Sequence, residues 1–83
     1  SDKATRVIVI RMRSVPAIDA SAMKSLRELA DRAKKKKITL VFSHVNEQPM
    51  SVMVKDGFTE YVGAQNFHAN IVEALDYAEN LVK

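Results

Sequence analysis

The chain has 83 residues, a net charge of +3 at pH 7 and no cysteine. A chain of this length forms one small domain, for which we expect a marginal hydrophobic core. The absence of cysteine excludes disulfides and thiolate metal sites, and the mild positive charge does not predict nucleic-acid binding. Because no apolar stretch is long enough to span a bilayer and no signal peptide precedes the first strand pattern, we expect a soluble chain.

The first predicted elements are a strand over residues 6–12 and a helix from Ser21 to about Lys35. Residues 7–10 are apolar on both faces of the strand, which is typical of a strand covered on both sides in a parallel sheet. The helix is indicated by an apolar stripe at helical spacing, made of Met23, Leu26, Leu29, Ala30 and Ala33.

A second buried strand is predicted over residues 38–42, followed by a helix that begins near Pro49 and ends before Gly57. Residues 58–62 indicate a short third strand, and Asn66 is the predicted cap of a last helix. This alternation predicts an α/β layer of parallel strands and helices in the order β-α-β-α-β-α. The predicted inner face of the last helix consists of Phe67, Ile71, Ala74, Leu75, Ala78 and Val82.

The first strand lacks the lysines, proline or polar face that protect the exposed edge of a sheet. We therefore expect that a second chain, or residues upstream of Ser1, lies beside it. The isolated chain should then self-associate or depend on those upstream residues.

Two polar loops follow the first two strands, and parallel strands place both loops at the carboxyl edge of the sheet. The first loop leads into a helix N-terminus, where unpaired N–H groups and the helix dipole favour Asp, Ser and bound anions. We expect the functional centre in this loop. A small anion or nucleotide between the loops is an alternative that would involve Ser43, His44 and Asn46, although an ordinary loop is the simpler interpretation.

The segment VPAIDASAM at residues 15–23, after the apolar run at residues 7–10, resembles the signature of the STAS domain. Sulfate-permease-type anion transporters and bacterial anti-sigma factor antagonists share this domain. The downstream order is also similar, with a lysine-rich helix end and Asp-Gly-Phe at residues 56–58. The resemblance implies a STAS-like (SpoIIaa-like) α/β fold over residues 1–83. Two departures are Ala22, where the family has glycine, and the lack of the family's N-terminal strands and first helix, which suggests N-terminal truncation.

The residues Val-Pro-x-Ile-Asp at positions 15–19 are more similar to the transporter branch than to the antagonist branch. The resemblance therefore implies a cytoplasmic regulatory domain of a sulfate-permease-type anion transporter, at the cytoplasmic face of the cell membrane, that acts by docking. Its partner would be the transmembrane domain of the same transporter, a second STAS copy or a soluble cytoplasmic protein. The interaction surface implied by the motif consists of Asp19, Ala20, Ser21, Ala22 and Met23.

Two alternatives belong to other functional classes. A stand-alone anti-sigma factor antagonist would be switched by phosphorylation of Ser21, whereas the simpler role of Ser21 is to cap the helix, with Asp19 as a second cap. The other alternative is a weak anion- or nucleotide-binding module.

No enzymatic chemistry is predicted. The sequence has no nucleophile–base arrangement, no glycine-rich phosphate loop and no metal-ligand spacing, so we expect no cofactor, no metal and no catalysis. The lysines at 34–37 are expected to form a solvated helix end, with acidic lipid or an acidic partner as the alternative.

Overall fold

The computed structural model describes residues 5–83. In chain order the elements are β1 (Val7–Arg11), α1 (Ala20–Lys35), β2 (Thr39–Ser43), α2 (Glu47–Asp56), α3 (Phe58–Val62), a single 3₁₀ turn (Ala64–Asn66), β3 (Phe67–His68) and α4 (Ile71–Leu81). None of the helices within residues 5–83 is long and apolar enough to cross a membrane.

The three strands form one parallel sheet in the order β1-β2-β3, so the predicted parallel α/β layer is confirmed. β2 is the central strand, and four of its five residues are buried. Phe42 at its end stacks on Phe67 of β3 with 4.9 Å between ring centroids, and meets Phe58 edge-to-face at 5.7 Å. Such aromatic pairs stabilise a core beyond the area they bury. This aromatic group holds the short β3 against the centre of the sheet.

The prediction of a third strand over residues 58–62 is wrong, because this segment is α3. Gly57 adopts the left-handed conformation, with φ 83°, and ends α2 as expected, but the chain turns directly into another helix. Because residues three apart lie on the same face of a helix, Phe58 and Tyr61 both point toward the body of the domain. Phe58 is then fully buried beside Phe42, and the Tyr61 hydroxyl donates a hydrogen bond to Asp31 of α1 at 2.5 Å. The β-branched and aromatic composition suggested a strand, but tertiary packing decides the conformation.

The prediction that Asn66 caps the last helix is also wrong. Asn66 is buried, donates to the Val62 carbonyl at 2.9 Å and accepts from the Tyr77 hydroxyl at 2.8 Å. The cap of α4 is Asn70, whose side chain accepts from the Glu73 N–H at 2.9 Å. The later helix start follows because residues 67–68 are used as β3.

The predicted inner face of α4 is only partly buried. Ala74 is buried and Ala78 is half-buried, but Leu75 is 54% exposed and Val82 is 42% exposed. Phe67 lies in β3 and not in the helix. The apolar side of α4 faces a groove beside β1 that no other described element fills; its lining includes Val7, Val9, Leu75, Ala78 and Val82.

β1 is an edge strand within residues 5–83, although its composition is that of an interior strand. The Arg6 carbonyl accepts from the Thr39 N–H, and the Met12 N–H donates to the Ser43 carbonyl. Even-numbered residues of β1 therefore direct their backbone groups toward β2, and odd-numbered residues direct theirs to the open side. An edge of this kind is able to pair with another strand.

We predict that the 83-residue chain self-associates through β1, with a sedimentation coefficient that rises with concentration. The substitution Ile8→Lys places a charge on this edge and should weaken association by about tenfold or more. Val54→Lys is the matched control, because Val54 is 56% exposed on α2 and does not line the groove beside β1. A wild-type chain that remains a monodisperse monomer at all concentrations would contradict the prediction.

Candidate functional site

The loop after β1 leaves the sheet at its carboxyl edge and leads into the first turn of α1. The Val15 N–H donates to the Met12 carbonyl at 3.0 Å and closes a turn. Pro16 and Ala17 are exposed, and α1 begins at Ala20. We call the exposed surface of residues 16–21 the rim.

Asp19 is the N-cap of α1. Its backbone is extended, and its Oδ1 accepts from the Ala22 N–H at 2.8 Å, while its carbonyl accepts from the Met23 N–H at 3.0 Å. A carboxylate at this position satisfies an otherwise unpaired N–H group and complements the helix dipole. The cap thus sets the residue at which the helix starts.

The expectation that Ser21 caps the helix is wrong. Ser21 is already the second residue of α1, with its side chain exposed, and the capping bond comes from Asp19. The cap residue must lie outside the helix so that its side chain can reach back to the N–H groups of the first turn. The hydroxyl of Ser21 therefore faces solvent at the rim.

Asn46, in the loop after β2, holds the first loop in place. Its Nδ2 donates to the carbonyls of Arg13 at 3.0 Å and Val15 at 2.9 Å, and lies 3.4 Å from the carbonyl of Met12. Asn46 precedes α2 but makes no capping hydrogen bond, because its amide is used across the two loops. A side chain that reaches three carbonyls of one turn fixes the shape of that turn.

Gln48, the second residue of α2, makes a second connection to the first loop. Its Oε1 accepts from the Ile18 N–H at 2.8 Å, and its Nε2 donates to the Ile18 carbonyl at 3.0 Å. The amide group therefore pairs with the backbone of Ile18 much as a neighbouring strand would. Sequence reasoning missed Gln48 altogether. We refer to Asn46 and Gln48 together as the amide clamp.

The structure brings the two predicted loops to the same edge of the sheet, but it treats their residues differently. Ser43 is 1% exposed at the end of β2, and the amide of Asn46 is engaged in the clamp. His44 is exposed, has a left-handed backbone with φ 53°, and donates its N–H to the His68 carbonyl at 2.9 Å. Of this set, only His44 presents its side chain to solvent.

The five motif residues also separate into exposed and buried groups. Asp19, Ala20 and Ser21 are exposed, Ala22 is half-buried, and Met23 belongs to the core at 5% exposure. Within residues 5–83, no three histidine or acidic side chains come close enough together to hold a metal ion. The rim is therefore a small surface of mostly short side chains, of which only Asp19 and Ser21 are polar.

We predict that Asn46→Asp destabilises the fold by about 2–3 kcal/mol, because a carboxylate cannot donate to the facing carbonyls and is repelled by them. Asn70→Asp is the matched control: Asn70 acts as a capping acceptor, for which aspartate is equally suitable, so a change within about 0.5 kcal/mol is expected. Urea unfolding followed by circular dichroism measures both. Equal destabilisation by the two variants would argue against the clamp.

A second pair of substitutions tests the cap. Asp19→Ala should lower the free energy of unfolding by about 1 kcal/mol, and Ser21→Ala should change it by less than about 0.5 kcal/mol. Asp19→Asn should behave like the wild type, because asparagine also caps helices. A larger loss for Ser21→Ala than for Asp19→Ala would show that the capping role is assigned to the wrong residue.

Comparison with known proteins places these features in a family. Residues 1–74 match the STAS domain family. A protein of Arabidopsis thaliana named "Probable sulfate transporter 4.2" is 25% identical over 75 residues, which cover 90% of this chain and 11% of that protein. The chain thus spans about a ninth of the length of that relative.

Two solved structures share the fold. A sulfate transporter family protein from Wolinella succinogenes superposes with a TM-score of 0.90 at 33% identity, over 99% of this chain and 67% of that one. The STAS domain of a SulP transporter from Vibrio cholerae superposes with a TM-score of 0.89 at 24% identity, over 99% and 64% of the two chains. With the match over most of its length, the chain belongs to the STAS domain family.

Proposed function

We propose that this chain is the cytoplasmic regulatory domain of a sulfate-permease-type anion transporter and that it acts by docking, without catalysis. Family membership and the transporter names of the relatives support the transporter assignment. The observation that carries the docking role is the rim, where exposed side chains flank Ile18, whose backbone is held by Gln48 of the amide clamp. Its partner is the membrane part of the same transporter or a second copy of the domain, with a soluble cytoplasmic protein as the other class.

A surface of this kind suits protein contact for an energetic reason. Binding costs free energy when loops or side chains must be ordered, and a surface that is already held in place avoids most of that cost. Ile18 and the carbonyls of residues 13 and 15 are fixed before any partner arrives. The short side chains of the rim let a partner approach the first turn of α1 closely.

The same geometry gives less support to an anion- or nucleotide-binding module. The carboxylate of Asp19 already occupies the Ala22 N–H and places a negative charge at the N-terminus of α1. An incoming anion would meet that charge and would have to displace the cap. The buried Ser43 and the engaged Asn46 leave His44 as the one exposed side chain of the proposed anion loop.

Phosphorylation of Ser21 is the second candidate function, and the observation in its favour is the exposed hydroxyl in the first turn of α1. A phosphate at this position is favoured by the helix dipole, although Asp19 lies only two residues away. Stoichiometric modification of Ser21 by a serine kinase in the native cell would support a switch of the antagonist type.

We predict that Ser21→Tyr in the full transporter lowers transport by about threefold or more or abolishes its regulation, because the ring blocks close approach to the rim. Serine and tyrosine have similar helix propensities, so the change is mainly steric. Ser51→Tyr is the control at an exposed position of α2. Uptake of radiolabelled anion, compared at equal surface expression, measures the effect. Unaltered transport and regulation with Ser21→Tyr would contradict the docking role.

A further inference from the structure

Positive charge collects at the pole of the molecule opposite to the rim. α1 starts at the carboxyl edge of the sheet and runs back to the amino edge, where β2 begins. The Arg6 carbonyl accepts from the Thr39 N–H at 2.9 Å, so the start of β1 lies beside the start of β2. Six exposed cationic residues, one before β1 and five at the end of α1 and just after it, form what we call the basic pole: Arg6, Arg32, Lys34, Lys35, Lys36 and Lys37.

Few acidic groups balance this charge. Among the described residues, none of the six cations forms an ion pair with a carboxylate. Lys34 makes a cation–π contact instead, with its Nζ 4.2 Å from the centroid of the Tyr61 ring. Acidic side chains near these cations are Glu28, one helical turn before Arg32, Asp31, which accepts from the Tyr61 hydroxyl, and Glu79, which lines the same groove as Arg6.

The dipole of α1 explains only part of the cluster. A helix C-terminus attracts cations within its last turn, and Arg32, Lys34 and Lys35 satisfy that role. Lys36 and Lys37 lie beyond the helix, and Arg6 comes from a different segment of the chain. Cations at this density repel one another, which costs free energy. The interaction with the helix C-terminus therefore does not account for the number of cations in the cluster.

Exposed apolar side chains accompany the basic pole. α4 also ends at the amino edge, and Leu81 and Val82 at its end are 40% and 42% exposed. Val82 lines a groove together with Arg6 and Val7, which places the apolar group next to the cations. Basic residues next to partly exposed aliphatic side chains are the composition of a surface that rests on a lipid bilayer.

We infer that the basic pole docks on the surface of an anionic membrane, with the lysines at the lipid headgroups and Leu81 and Val82 at the interface. The main attraction is electrostatic, because anionic leaflets attract clusters of about four to eight lysines and arginines. This orientation leaves the rim at the far end of the domain for a protein partner. With the pole on the membrane the rim faces away from it, so of the partners proposed for the rim this orientation admits a second copy of the domain or a soluble cytoplasmic protein.

The experiment is co-sedimentation of the 83-residue chain, cleared of aggregates beforehand, with lipid vesicles. The chain should pellet with phosphatidylcholine vesicles that contain about 30% phosphatidylserine and stay in solution with phosphatidylcholine alone. Raising the salt from about 0.1 M to 0.5 M should release it, because the attraction is screened. Since each cation at an anionic surface raises partitioning by about fivefold, K35Q/K36Q should lower it by roughly 10- to 30-fold.

The matched control is R13Q/K24Q, which removes the same charge from exposed residues at the carboxyl edge. This variant should bind within about twofold of the wild type. Absence of pelleting with the anionic vesicles, equal pelleting with neutral vesicles, or equal loss in the two double variants would each overturn the inference. Ser21→Tyr should leave vesicle binding unchanged, so failure of this inference and failure of the docking role at the rim are distinguishable.

Discussion

The amide clamp is the interaction on which the site depends. Asn46 and Gln48 follow β2, yet their side chains bond to the backbone of the loop that follows β1. Parallel strands bring these loops to one edge, but adjacency alone does not give either loop a single conformation. The clamp replaces water at otherwise unpaired backbone groups and thereby fixes the path of the loop that leads to the Asp19 cap. A site built from loops gains from such a clamp the rigidity that a helix or strand would otherwise provide.

Two ends of one small domain carry different kinds of surface. The carboxyl edge bears the mostly short and uncharged side chains of the rim, and the amino edge bears the basic pole with its exposed aliphatic neighbours. α1 connects the two, because it starts at the rim and ends in the lysines. Under the proposed function, the rim would meet a protein partner and the basic pole a membrane.

Much of the fold follows from sequence patterns because the signals are local. The apolar runs of β1 and β2, the stripe of α1 and the left-handed Gly57 all act within a few residues. The conformation of residues 58–62 is not set by local signals, since it depends on the contact of Phe58 with Phe42 of β2. The spacing of Phe58, Tyr61 and Val62 was a helical signal, and Asn70 followed by Glu73 was a capping signal.

For the site, the sequence predicted Asp19 only as a second cap beside Ser21, and the place of the functional surface within residues 15–23 stays a prediction. The clamp was out of reach, since an asparagine before a helix usually indicates a cap.

The most direct test of the docking account is hydrogen exchange of the backbone amides in the intact transporter, compared with the 83-residue chain in the same membrane mimic. The account predicts slower exchange over residues 15–23 in the transporter, with residues 47–56 of α2 unchanged. Identical exchange rates at residues 15–23 in the two samples would show that nothing covers the rim and would contradict the claim.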